Sequence, residues 1–295
     1  MNTPIRSLTF VARLLPVAVV CMAAMSSYRD SIEKWRRERA ASLVADDGWT
    51  TVAGLYWLRE GANSFGTDAG GAIVLPAGSA PARCGVFEHR AGKTVLRVAP
   101  GVTVLAAGRP VRELEMRSDL AGPPTAVTIA DLTLFVIARG DRFAIRLRDK
   151  NSAYRKQFRG LEWYPVEERY RIEADFVAWP SPKTLMVPTI LDFSEKMTSP
   201  GYVTFDLGGR EWRLEPVLSG ARLFFIFRDR TSGKQTYPAG RFLYTGMPKD
   251  GKVLLDFNQA HNPPCAYTPY ATCPLPPPQN RLEAAIEAGE LNYHH

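Results

Sequence analysis

Histidine and cysteine are scarce in this chain of 295 residues, with four of each. No CxxC pair occurs, His294 and His295 close the sequence, and only His89 and His261 stand inside it. A structural zinc needs a spaced set of such ligands, so no metal site is expected. A GxSxG elbow, an HExxH pair, a Walker loop and a GxGxxG turn after a strand are equally missing. Their absence removes the common signatures of a serine hydrolase, a zinc peptidase, a phosphate-binding loop and a dinucleotide fold, and no cofactor is expected. The glycine-rich turn GTDAGG has neither the lysine nor the following helix that phosphate binding needs. Strong charge bias is also lacking: 37 basic residues oppose 30 acidic ones. The bases alternate with acids, as in GDRFAIRLRDK, and read as solvated strand faces. A nucleic-acid partner needs a clustered basic patch with stacking aromatics, so none is expected, while affinity for small anions stays open.

No apolar run reaches the roughly 20 residues of a spanning helix. The run from Leu14 to Met25 has twelve residues and follows Arg6 and Arg13. It fits the apolar region of a secretory signal, with Ala24 and Ser26 as small residues before a cleavage point. Residues 1–26 are therefore read as a signal peptide or an uncleaved N-terminal anchor, the chain's only contact with a membrane. Acylation at Cys21 is disfavoured by Val19 and Val20, where a small residue is required. The expected location is the periplasm or cell envelope; a misplaced start codon on a cytoplasmic protein is the alternative.

What the chain has in quantity is turn formers and aromatics: 23 glycines, 23 prolines and 11% Phe, Trp and Tyr. That composition favours strands and tight turns over helix bundles. Residues 28–45 form the exception, an amphipathic helical stretch with Ile32, Trp35 and Leu43 set among charges. Residues 46–150 break into short apolar or alternating runs about ten residues apart, the pattern of a β-sandwich or barrel. After an aromatic bridge, strands resume from residue 166 to the end (166–295) as a second β-domain, including IEADFVAW, RLFFIFRD and KVLLDF. RLEAAIEAG is expected to close the fold as a short helix capped by Gly289. The fold class is thus mostly β, in two linked parts.

Two late stretches carry chemistry. FRDRTSGKQTYPAGRFLY reads as a hairpin that brings Asp229, Thr231, Ser232, Tyr237 and Arg241 to its ends. Arg241 either pairs with Asp229 or Asp256, or offers its planar donor fork to a carboxylate or phosphate. In DFNQAHNPPCAYTPYATCPLPPPQN, a strand ends in Asp256 and Asn258, and His261 and Asn262 follow. Seven of the sixteen residues from Pro263 to Pro278 are proline. Such backbone lacks N–H donors and loses little entropy on ordering, so it can form a strap without a partner strand. In an exported protein Cys265 and Cys273 are placed to form a disulfide within it. The candidate ligand site is Asp229, Tyr237, Arg241, Asp256, Asn258 and Asn262, taking a small polar or anionic molecule. A hydrolase with Asp256 or His261 as base and Arg241 as anion holder is the alternative, and a structural or partner-binding protein is a third.

Two resemblances accompany this reading. GANSFGTDAGGAIVLPAGSAPARCGVFEHRAG, the pair around AAGRPV and LTLFVIARGDRFAIRLRD together resemble a forkhead-associated sandwich. Gly66-Thr67 stands where that family has Gly-Arg, and SAPARCG has no matching histidine, so the resemblance implies architecture without phosphopeptide binding. GWTTVAGLYWLREGANSFGTD, RLRDKNS, FRDRTSGKQTYPAGRFLY and DFNQAHNPPCAYTPYATCPLPPPQN resemble the bacterial and archaeal family of domain of unknown function 1684, from about Glu33 onward. That resemblance implies a conserved unit and no particular activity.

Overall fold

A computed structural model of the chain describes residues 15–294, with side chains from residue 27 onward. Most of the signal or anchor segment and the side chain of Cys21 lie outside the described residues. Helix α1 (Leu15–Val44) comes first and extends well before the amphipathic stretch expected at 28–45. No described helix is long and apolar enough to cross a membrane. Its C-terminus is satisfied locally, because the Thr50 hydroxyl donates to the Leu43 carbonyl at 2.6 Å, one of the acceptors that a helix end leaves open.

Eleven strands form the N-terminal unit: β1 (Val52–Trp57), β2 (Gly61–Gly66), β3 (Ile73–Val74), β4 (Gly85–Arg90), β5 (Lys93–Val98), β6 (Val104–Ala106), β7 (Arg109–Val111), β8 (Glu113–Glu115), β9 (Ala126–Ile129), β10 (Leu132–Arg139) and β11 (Arg142–Asp149). They make a six-stranded sheet, β1-β11-β10-β9-β6-β7, and a five-stranded sheet, β3-β2-β4-β5-β8. Phe65, Phe87, Leu96, Leu134, Val136, Ile145 and Leu147 fill the space between them. Strand β10 is apolar on both faces for a reason. Leu134 and Val136 enter the sandwich core, whereas Phe135 and Ile137 join Ala144 on the outer face. A strand covered on both sides reads as a continuous apolar run. The β10–β11 hairpin turns at Gly140, whose φ of +61° is the left-handed position that a two-residue turn requires.

A one-turn helix α2 (Ala153–Lys156) leads to the second unit. It comprises β12 (Arg171–Pro188), β13 (Ser194–Asp206), β14 (Glu211–Leu214), β15 (Val217–Ser219), β16 (Arg222–Phe227), β17 (Arg241–Thr245) and β18 (Lys252–Asp256). The sheet orders are β14-β13-β12-β18 and β15-β16-β17. Strand β16 sends Leu223, Phe225 and Phe227 into the core with Val203, Leu243 and Leu255, and turns Phe224 and Ile226 to a second cluster with Phe242 and Cys273.

Helix α1 docks on this C-terminal unit. Ile32 and Leu43 are buried, Trp35 meets Trp163 edge-on at 5.5 Å, and Arg39 pairs with Glu290 at 2.8 Å.

Two expectations are corrected here. RLEAAIEAG is not helical, although Gly289 does take a positive φ of +83°. An isolated helix of nine residues is marginal, and competing partners claim its backbone. The Leu282 amide bonds Arg228 O at 2.7 Å, the Arg230 amide bonds Ala284 O at 2.8 Å, and the Ile286 amide bonds the Asp229 carboxylate at 2.8 Å. Cys265 and Cys273 are free thiols. Their contact is a bond from the Cys265 amide to Cys273 Sγ at 3.2 Å; the polypeptide between them is ordered by backbone pairing without a covalent link.

Candidate functional site

The hairpin and strap residues converge, and they converge on each other. Arg241 and Asp229 are fully buried and paired at 3.0 Å. Arg241 also donates to Ile286 O at 2.9 Å and to Ala288 O. Asp229 accepts from the Thr231 amide and hydroxyl, the Ser232 hydroxyl and the Ile286 amide. Burial pulls the Arg241 guanidinium below the usual arginine range, and Asp229 opposes that pull. Of the two roles open to Arg241, the geometry selects internal pairing, and Asp229 is the partner. Tyr237 donates to Cys265 O at 3.1 Å, and burial raises its pKa.

Asp256 sits apart from that pair. It accepts from Tyr28 of α1 at 2.9 Å and from Asn258 and Gln259. Asn258 clamps Glu167, accepting from its amide at 3.0 Å and donating to its carbonyl at 2.9 Å. Asn262 donates to Glu290 at 2.9 Å and Leu291 O at 2.7 Å, and Glu290 also takes bonds from Arg39 and Tyr267. His261 donates through Nδ1 to Gln259 O at 3.0 Å and stacks on Tyr244 at 5.9 Å. Burial, then the charges of Arg39 and Arg222, push its pKa well below the ordinary value, so it is neutral. A neutral imidazole that spends its N–H on a carbonyl, with Asp256 engaged by three side chains, leaves no acid–base pair at an open surface. The cluster anchors the strap and helix α1 to the second unit. Most of the polar groups expected to face a ligand there, from Asp229 to Asn262, are bonded to one another or to the backbone.

The open space lies elsewhere. A cleft of about 760 Å³ runs between the outer face of the six-stranded sheet and the second unit. Trp49, Asp119 and Arg139 line one side, and Glu195, Lys196, Met197, Phe224, Phe242 and Tyr244 line the other. Pro264, Thr272, Cys273 and Pro274 of the strap close its floor. The strap is held there at both edges. Thr268 donates to Val52 O of the first unit at 2.8 Å, and the Leu275 amide bonds Pro188 O of the second at 2.7 Å. Arg139 bridges Asp119 at 2.8 Å and Thr272 Oγ1 at 2.9 Å, with Glu195 3.6 Å away. Burial raises the Glu195 pKa, Arg139 opposes that rise and Asp119 reinforces it. Arg146 lies behind Thr272, with its guanidinium 5.1 Å from the Trp49 ring. Among the described residues, no group of three or more His, Cys, Asp or Glu could hold a metal ion.

Of the cleft residues, the sequence pointed only to those of the strap, Cys273 among them, and to none as part of a ligand site. The signal was present in RFAIRLRD, where Phe143, Ile145 and Leu147 alternate with Arg142, Ala144, Arg146 and Arg148. The arginine face reads as solvated. Arg146 is instead 5% exposed, because the strap, more than a hundred residues later, covers it.

The profile of a family described as a protein of unknown function (DUF1684) matches residues 156–291. Among solved structures, an uncharacterized protein of Haloarcula marismortui, determined in solution by NMR, is 34% identical. The alignment covers 46% of this chain and 78% of that one, with a TM-score of 0.40. No curated protein matches the chain. The matched region contains the second unit and the whole strap, with Asp229, Arg241, Asp256, Asn262 and Glu290 in it. Residues 156–291 of the chain are thus similar to the DUF1684 family.

Proposed function

We propose that the protein binds a small anionic organic molecule, and that it does so in the cleft between its two β-units rather than at the Asp229–Arg241 cluster. One observation carries this reading: a cavity of about 760 Å³ has Arg139 on its wall and the strap as its floor, with side chains from both units facing it. Ligand sites favour such junctions, where a few polar groups converge in a mostly apolar wall. Phe224, Phe242 and Tyr244 supply that wall. The hydrolase alternative draws less support from the geometry, since His261 and Asp256 are engaged in internal hydrogen bonds. The apolar run from Leu14 to Met25 supports an exported, envelope-associated protein, with α1 leading from that segment to the second unit. The likeness of the first unit to a forkhead-associated domain is kept at the level of architecture alone.

A thermal-shift screen of organic acids tests the reading. It uses the wild type and Ser194→Trp, an exposed position at the cleft wall where a bulky ring fills space at little folding cost. Compounds that raise the wild-type Tm and leave Ser194→Trp unmoved are expected. Equal shifts in both proteins, or no shift with any compound, would refute it.

A further inference from the structure

Arg146 stands apart from the other buried arginines. Among the described residues the buried arginines are Arg36 at 7%, Arg146 at 5% and Arg241 at 0% exposure. Arg36 pairs with Glu33 and Arg241 with Asp229, each at 3.0 Å. Arg146 has no carboxylate partner among the described residues. Its one hydrogen bond is a long one, from Nη2 to Thr272 Oγ1 at 3.4 Å, and its buried Nε has no partner. An isolated buried charge is costly in an apolar setting, and its usual remedy is a counter-ion.

Thr272 provides a second and independent observation. Its Oγ1 accepts from two guanidiniums, Arg139 at 2.9 Å and Arg146 at 3.4 Å. Both of its acceptor positions are therefore used, and its hydroxyl proton has no acceptor among the hydrogen bonds of the described residues. Thr272 lines the cleft. An unspent O–H donor thus stands beside an unspent guanidinium edge, the pair of donors that two oxygens of one carboxylate would accept.

We propose that the cleft takes a monocarboxylate with an apolar body, its carboxylate held by Arg146 and the Thr272 hydroxyl. This rests on the cleft being the ligand site. The count of charge favours a monoanion. Arg139 already faces Asp119 at 2.8 Å and Glu195 at 3.6 Å, whereas Arg146, directly behind the cleft residue Thr272, has no carboxylate of its own. A phosphate dianion would place surplus negative charge next to Asp119 and Glu195. The apolar body has its own surface in Trp49, Met197, Phe224, Phe242 and Tyr244. Consistent with an unmatched charge, burial and then the neighbouring Arg139 push the Arg146 pKa down to about 10; a bound carboxylate would reverse that shift.

Isothermal titration calorimetry on the full chain tests the assignment with octanoate, phenylacetate, phenylacetamide and inorganic phosphate. At least one carboxylate is expected to bind, with the amide and phosphate weaker by tenfold or more. Arg146→Gln and Thr272→Val should each weaken the carboxylate by tenfold or more. Arg142→Gln, an exposed neighbour over Trp57 on the same strand, should leave it unchanged. A melting curve guards against misfolding: without ligand, Arg146→Met should melt no lower than wild type, because it removes an uncompensated charge, whereas a structural arginine would lose stability. A ligand blocked by Ser194→Trp but indifferent to Arg146→Gln would overturn this assignment and leave the cleft reading intact. If no probe or screened acid distinguishes Ser194→Trp from wild type, the cleft reading itself fails, and the assignment fails with it.

Discussion

Replacing Arg241 by methionine tests the idea that Asp229 and Arg241 hold the strap. The substitution keeps much of the side-chain volume and removes three bonds, to Asp229 Oδ2, Ile286 O and Ala288 O. Asp229 retains four donors, from Thr231 twice, Ser232 and Ile286, which softens the penalty on its charge. The two carbonyls lose their guanidinium, at about 1–3 kcal/mol for each buried group left unpaired. Breaking a buried pair from one side costs roughly 3–5 kcal/mol overall. At about 2 °C per kcal/mol for a chain of this size, Tm should fall by roughly 6–10 °C. Circular dichroism reads the melt. Trypsin cleavage after Arg281, beside the segment that Arg241 secures, reads the strap and should accelerate. Arg241→Lys should recover only part of the loss, since one ammonium cannot reproduce the fork. Adding Asp229→Asn to Arg241→Met should cost less than the two changes summed, as coupled neighbours do. A fall in Tm below about 2 °C, with cleavage unchanged, would refute the anchoring role, since the structural magnitudes allow no such small value.

Other outcomes follow from the same geometry. His261 has a folded pKa well below its ordinary value of 6.5, so the unfolded chain takes up the proton first. Its contribution is fully present above about pH 6.5 and is lost as pH falls toward the folded pKa, by at most about 1.4 kcal/mol per pH unit. His261→Phe should flatten that part of a urea-denaturation series between pH 7 and 5; parallel curves for both proteins would contradict a buried neutral imidazole. Gly289→Ala should destabilise by roughly 1–3 kcal/mol, because φ is +83° and a Cβ would run into the Ala260 carbonyl; an unchanged Tm would show that the turn relaxes freely. Mass spectrometry of unreduced, denatured and alkylated protein should find one alkyl group each on Cys84, Cys265 and Cys273. A peptide pair lighter by two hydrogens would restore the disulfide.

Much of the framework was legible along the chain. Alternation in RFAIRLRD, continuous apolarity in RLFFIF and turns at positions such as Gly140 depend on neighbours a few residues away, so they mark strands directly. The proline-rich stretch was legible as an ordered strap for the same kind of reason, since proline restricts its own backbone whatever surrounds it. RLEAAIEAG misled because its helical pattern is local, while Asp229, Arg241 and Arg228 claim its amides and carbonyls from distant positions.

The sequence by itself determined the mostly β class and pointed to the residues that gather in the late cluster. Only the tertiary structure decided what they do. Asp229 and Arg241 face each other because β16 and β17 pair, with Phe227 opposite Arg241, and that mutual satisfaction removes them from solvent. Arg146 and Thr272, 126 residues apart, meet because the strap passes over the outer face of the first sandwich. Periodicity fixes which face of a strand a side chain takes, but what covers that face is set by contacts distant in sequence. That is why Arg146, in a row of arginines that reads as solvated, is buried behind the strap.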